Sequence, residues 1–91
     1  VWNVDTGECI LTLKGHTNAV NSVGFNHDGT KIVSGSCDQT IRVWNVDTDE
    51  CIFTLRGHTW SVHSVGFNHD GTKFVSGSYD IRVWEMVKFL K

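Results

Sequence analysis

The sequence predicts an all-β chain made of two copies of one unit, each unit holding about four short antiparallel strands. Three observations carry this. The stretch VWNVDTGECILTLKGHT from Val1 returns as VWNVDTDECIFTLRGHT from Val43, and the offset of 42 holds through Asp38 and Asp80. Apolar and polar residues alternate over short runs, the period of a half-buried strand. Those runs are rich in Val, Ile, Thr, Phe and Trp, are separated by turn-forming clusters, and contain no proline.

Taken in order, residues 8–14 interleave Ile10, Thr12 and Lys14 with Cys9, Leu11 and Leu13, which predicts a first strand. A Lys-Gly-His-Thr turn leads into a second, near 19–26. The Asp28-Gly29 pair is a hairpin signal and joins it to a third at 30–36. Ser36-Cys37-Asp38 separates that from 40–46, where Ile41, Val43 and Asn45 interleave with Arg42, Trp44 and Val46. A strand at 50–56 follows. The second unit repeats the series at 61–68, 72–78 and 81–86, with Asp70-Gly71 as its hairpin turn. The tail from Met86 to Lys91 fits neither period. No helix is expected.

Between Val1–Asp38 and Val43–Asp80 only positions 7, 11, 14, 18, 19, 21, 32 and 37 differ from their counterparts. Each unit therefore solves the same packing problem. After Asp80 the register breaks. The counterparts of Gln39 and Thr40 are missing, so Trp84 follows Asp80 by four positions where Trp44 follows Asp38 by six.

Composition narrows the function. The 91 residues carry a formal charge of −2, and the 8 Lys and Arg are scattered, which argues against nucleic acid as the main partner. No apolar run is long enough to span a bilayer, and no charged-then-apolar leader opens the chain. Cys9, Cys37 and Cys51 form no C-x-x-C pair and are read as small reduced hydrophobes. With no N-x-Ser/Thr sequon, the expectation is an intracellular, cytoplasmic protein. The first residue is Val1, not Met, which suggests a fragment or a processed product.

A His, an Asp and a Ser in each unit invite comparison with a hydrolytic triad. No nucleophile elbow accompanies them, and the whole set recurs at the repeat period, as structural elements do. His27 and His69 are capable metal ligands, but their Asn-His-Asp-Gly contexts read as solvated turns. No enzyme, metal site or cofactor is expected. Trp2, Trp44 and Trp84 read as core and network residues, and Gly15 and Gly57 as turn glycines.

With Gly15-His16 paired to Trp44-Asn45, Gly57-His58 to Trp84-Glu85, and Ser-Gly-Ser-x-Asp at 34–38 and 76–80, the whole chain resembles the WD-repeat family. The resemblance implies β-propeller blades of four-stranded antiparallel sheets, about two of them, hence an incomplete propeller. On that mapping residues 1–14 are the end of an upstream repeat with its outer strand. Residues 15–56 are the first unit, and 57–91 the second, shortened before its Trp.

The resemblance further implies a buried chain of hydrogen bonds: Asp38 to His16, His16 to Ser34, and Ser34 to Trp44. His58, Ser76, Asp80 and Trp84 would form its second copy, with Asp80 strained or released by the shortened turn. It also implies a top face for a protein or peptide partner, at Ala19, Asn21 and Cys37 in one unit and Ser61, His63 and Tyr79 in the other. Asn18 and Trp60 lie beside them. Positions 18, 19, 21 and 37 are four of the eight that differ between the units, so the frame is copied where this surface is not. The alternative is a structural array serving oligomerisation or packing within a longer parent. Two units leave both flanks open. Further blades or self-association would close a propeller, with residues 8–14 of this chain or a neighbour as the outer strand the second unit lacks.

Overall fold

The computed structural model describes residues 1–86. Strands β1 (Val20–Phe25), β2 (Lys31–Ser36), β3 (Ile41–Asn45) and β4 (Cys51–Leu55) form one antiparallel sheet in chain order. Strands β5 (Ser64–Phe67), β6 (Lys73–Gly77) and β7 (Ile81–Glu85) form a second, three-stranded sheet, and no helix interrupts them among the described residues. The sheets are therefore blades of the kind expected, one complete and one short of its outer strand.

The hairpin turns explain why these runs pair as they do. Gly29 and Gly71 take φ of 76° and 74°, a region costly for any side chain. Beside Gly29, the Asp28 carboxylate accepts from the Thr30 amide at 3.0 Å and from its hydroxyl at 2.6 Å. Asn26 closes the turn through its side-chain oxygen, which accepts the Lys31 amide at 3.0 Å. Asn68, Asp70 and Thr72 repeat this geometry in the second unit.

The core lies between the sheets. Val33, Ile41 and Val43 on the first sheet are fully buried against Val62 and Phe74 of the second, with Val65, Phe67, Trp84, Phe53, Leu55 and Met86 packed around them. Phe74 is the centre of an aromatic cluster: it stacks on Trp84 at 6.2 Å and on Phe53 at 6.4 Å, and meets Phe67 edge-on at 5.8 Å. Burying each such side chain contributes about 1.5–3 kcal/mol. Backbone bonds cross the seam as well: the Val62 amide donates to the Ser36 carbonyl at 2.8 Å.

Residues 8–14 are not a strand. One isolated bridge, Trp2 to Cys9, forms there, flanked by the Ile10 amide on the Val1 carbonyl at 2.8 Å and the Val1 amino group on the Leu11 carbonyl at 2.8 Å. The reason is the lack of a neighbour: Cys9–Leu13 faces only the short stretch from Val1, and an isolated two-stranded hairpin is marginal. The local geometry is nevertheless that of β3–β4. The Asn3 amide donates to the Glu8 carbonyl at 2.8 Å, as Asn45 does to Glu50 at 2.8 Å. Nor do residues 8–14 complete the second sheet of their own chain, where β7 is the edge. They lie across the first sheet instead. A cleft of about 630 Å³ separates Val1, Trp2, Leu11 and Leu13 from Val20, Val23, Phe25 and Ile32.

Two smaller expectations change. Trp2 is 69% exposed, so unlike Trp44 and Trp84 it is no core residue. Cys9 is exposed, Cys37 and Cys51 are half-buried, and all three are free thiols. Gly15 and Gly57 have ordinary φ. They are glycines for room, since a Cβ on them would stand 3.0 Å from the Trp44 ring and 2.8 Å from the Trp84 ring. Of the ambiguous tail, Met86 is buried; the remainder lies outside the described residues.

Candidate interaction face

Beneath the loops at one end of the first sheet lies a chain of polar side chains. His16 Nδ1 is 2.9 Å from Asp38, and His16 Nε2 is 2.6 Å from the Ser34 hydroxyl. The Trp44 indole N–H donates to that hydroxyl at 2.9 Å. With the proton on Nδ1, His16 donates to Asp38 and accepts from Ser34, and each polar atom of the chain is satisfied. Ser34 and Trp44 are buried, so these bonds replace water that cannot reach them.

Asp38 is the hub. Besides His16 it accepts from the Thr17 amide at 3.0 Å, from the Thr40 amide at 2.9 Å and from the Thr40 hydroxyl. Burial pushes its carboxyl up, but the bonds from Thr40, His16 and the Thr17 amide outweigh that and hold it far below the usual carboxylate range. Thr17 and Thr40 were not singled out from the sequence. The signal was present in Thr40, which sits two residues past an Asp in the manner of Thr30 after Asp28.

The second copy is looser where its turn is shorter. His58 reaches the Ser76 hydroxyl at 2.7 Å, and the Trp84 indole donates to that hydroxyl at 2.9 Å. Asp80 stands 3.3 Å from His58 with its side chain 62% exposed, and 3.6 Å from Arg82. It has neither the residue that matches Thr40 nor a turn long enough to tuck it in. Asp80 is therefore at the solvent edge of the network, while the His-Ser-Trp part is kept.

Above the networks lie the residues of the face. A bulge in β1 between Val20 and Ser22 puts Asn21 out of the ladder. Its amide nitrogen donates to the Val62 carbonyl at 2.9 Å and to the Cys37 thiol at 3.2 Å. Asn21 thus ties the two sheets together as well as facing outward. Cys37 donates its amide to Ala19 at 2.9 Å, and the Asn18 side chain accepts the Ala19 amide at 2.8 Å. In the other unit the His63 amide donates to the Gly77 carbonyl at 2.9 Å. Trp60 and Tyr79, 53% and 83% exposed, come together with ring centroids 5.8 Å apart and planes tilted by 34°. Ser61 lies half-buried next to Trp60.

At the opposite end of the sheets the His27 and His69 rings lie 5.6 Å apart, each exposed in its turn. Among the described residues no three His, Cys, Asp or Glu side chains converge as metal ligands. No helix there is long and apolar enough to cross a membrane.

Twin sheets, each carrying its own His, Ser and Trp network, define a pair of propeller blades. The WD domain, G-beta repeat family matches residues 7–45 and 49–85, and the chain belongs to that family. It is 44% identical over 43 residues to the periodic tryptophan protein 2 homolog of Schizosaccharomyces pombe, a match covering 47% of this chain and 5% of that protein. It is 45% identical over 40 residues to the lissencephaly-1 homolog of Caenorhabditis briggsae, covering 44% and 10%. It is 41% identical over 44 residues to the ribosome biogenesis protein WDR12 homolog of Nematostella vectensis, covering 46% and 11%. The chain thus spans about a tenth or less of the length of these relatives. Their names describe no catalysis, and membership in the family implies a protein-interaction scaffold.

Proposed function

We propose that the end of the sheets bearing Asn18, Ala19, Cys37, Trp60, Ser61, His63 and Tyr79 docks a protein or peptide, and that Trp60 and Tyr79 are its anchors. One observation carries this. Two large aromatic rings, 19 positions apart in sequence, stand exposed and side by side at the place where the repeats differ most. Aromatic side chains bury large area at low entropy cost and dominate binding energy at interfaces. The counterparts in the other unit are Asn18 and Cys37, so a partner is held by one side of the face and discriminated by the other. His63 adds a polar contact beside the pair, whereas Asn21 serves mainly to fix the seam. The docking takes place inside the cell and needs no metal or cofactor.

The test is a peptide library panned on the chain, followed by affinity measurements for the selected peptides on Trp60→Ala and Tyr79→Ala. Each substitution is expected to weaken binding about tenfold or more, with the melting temperature unchanged. Unchanged affinity in both variants, or an equal loss of thermal stability, would overturn the reading.

A further inference from the structure

The seam between the two sheets is a pair of matched surfaces, and the repeat presents both of them a second time without a partner. Inside the chain, Val33, Ile41 and Val43 on the first sheet meet Val62, Val65, Phe67 and Phe74 on the second. Gly35 permits the approach: a Cβ there would stand 2.6 Å from a Val62 methyl and 2.9 Å from a Val65 methyl.

The counterparts of the first surface are Val75, Ile81 and Val83, of the same residue types and in the same register: Gly77 pairs Ile81 and Val75 pairs Val83, as Gly35 pairs Ile41 and Val33 pairs Val43. They are 40%, 77% and 67% exposed. Gly77 matches Gly35, yet a Cβ on it would meet nothing nearer than Ser64 at 3.9 Å. The counterparts of the second surface are Val20, Val23, Phe25 and Ile32; the first three are 49%, 64% and 52% exposed along the cleft, and Ile32, 7% exposed, lines it beneath them. The backbone edges match too. The second sheet lacks a fourth strand beyond β7 among the described residues, and Cys9–Leu13 is placed like a fourth strand whose sheet is missing.

We propose that a second copy of this chain fills the cleft. Its β5–β7 sheet enters between residues 1–13 and the first sheet. Its Val75, Ile81 and Val83 then lie on Val20, Val23 and Phe25, and its β7 pairs with Cys9–Leu13. Its Trp84 takes the place of Trp2 opposite Cys9. Trp2 is exposed, and its segment meets residues 8–11 only through the backbone bonds of a two-stranded hairpin, so it yields to a strand that brings a whole sheet. The contact is head-to-tail and leaves the same two surfaces free at the ends of each pair, so it propagates until the ring closes. Three copies give six sheets and four give eight, within the range in which propellers close. The proposal uses the sides of the sheets rather than their loop ends and does not depend on the docking face above.

The experiment is light scattering after gel filtration on the 91-residue chain and two sets of variants. The chain is expected at three or four times its 10.2 kDa mass. Gly77→Leu, which meets open space in the single chain, is expected to raise the midpoint concentration of assembly at least tenfold, with the circular dichroism and melting of the dilute chain unchanged. Val23→Glu and Val83→Glu each spoil one of the two surfaces, so each alone is expected to remain single. Mixed, they retain one good contact and are expected to form a one-to-one pair. That pair also shows that both variants are folded. A wild-type chain that stays single at about 1 mM, assembly indifferent to Gly77→Leu, or a mixture that forms no pair would each overturn the proposal. The first of these results would assign the two open surfaces to other repeats of a longer polypeptide.

Discussion

The two repeats share thirty of the thirty-eight residues that align from Val1 and Val43, and the same side chains meet opposite fates in them. Val33, Ile41 and Val43 are fully buried; Val75, Ile81 and Val83 are 40%, 77% and 67% exposed. On the other side the order reverses: Val62 is fully buried and its counterpart Val20 is 49% exposed. Local sequence decides that these residues lie on a strand and point to a given side. Whether that side is dry is decided by the next sheet. A blade of this kind is stable only as far as its neighbours cover it, the property that makes repeat proteins additive along their length.

The largest test of this comparison is a pair of truncations. Ile41→Ala should destabilise by about 2–5 kcal/mol, the cost of a cavity in a closed core. Ile81→Ala, the same change at the matching site, should stay within about 0.5 kcal/mol in dilute chain. Urea unfolding of both variants measures the difference. Equal costs would mean that the outer side of the second sheet is covered in solution.

The networks offer a smaller contrast. His16→Ala removes the partner of Ser34 and of the enclosed Asp38, and should cost about 1–3 kcal/mol. His58→Ala removes one partner of Ser76, which keeps the Trp84 indole, and leaves Asp80 in solvent, so it should cost less when both variants are compared by thermal melts. A reversal of that order would place Asp80 inside the second network.

The smallest effect is in the acid limb. A carboxyl whose pKa is depressed in the fold stabilises it above the unfolded value and loses that contribution as pH falls toward the folded one. Asp38 is such a group. The stability gap between the chain and Asp38→Asn should therefore be full above about pH 4, the ordinary carboxylate value, and shrink below it. A gap that does not change between pH 5 and pH 2 would remove the charged hydrogen bonds from the account.

Much of this was legible in advance because the signals were local and doubled. The strands up to β6, the hairpin turns and the His16–Ser34 spacing repeat at 42, and the missing pair before Ile81, which brings Trp84 in at 40, foretold that Asp80 would sit differently from Asp38. What could not be read depends on neighbours. Cys9–Leu13 has a strand's alternation but no sheet to join, so it stays irregular. The exposure of Trp2 has the same cause. The pairing of Trp60 with Tyr79 is set by how the loop before β5 folds over the β6–β7 turn, and no periodicity encodes that. Asn21 shows the limit most clearly: a variable, outward position in sequence is also a clasp between sheets, made by a bulge.

The shortened turn before β7 removes two residues and shifts no strand. Gly77 still faces Ile81, and Trp84 still reaches Ser76. Losses of length at this point are absorbed by the loop because the tryptophan and the ladder below it hold their own alignment. The rim of each blade can therefore evolve by insertion and deletion as freely as by replacement. New specificities are open to it by steps that would wreck an ordinary sheet.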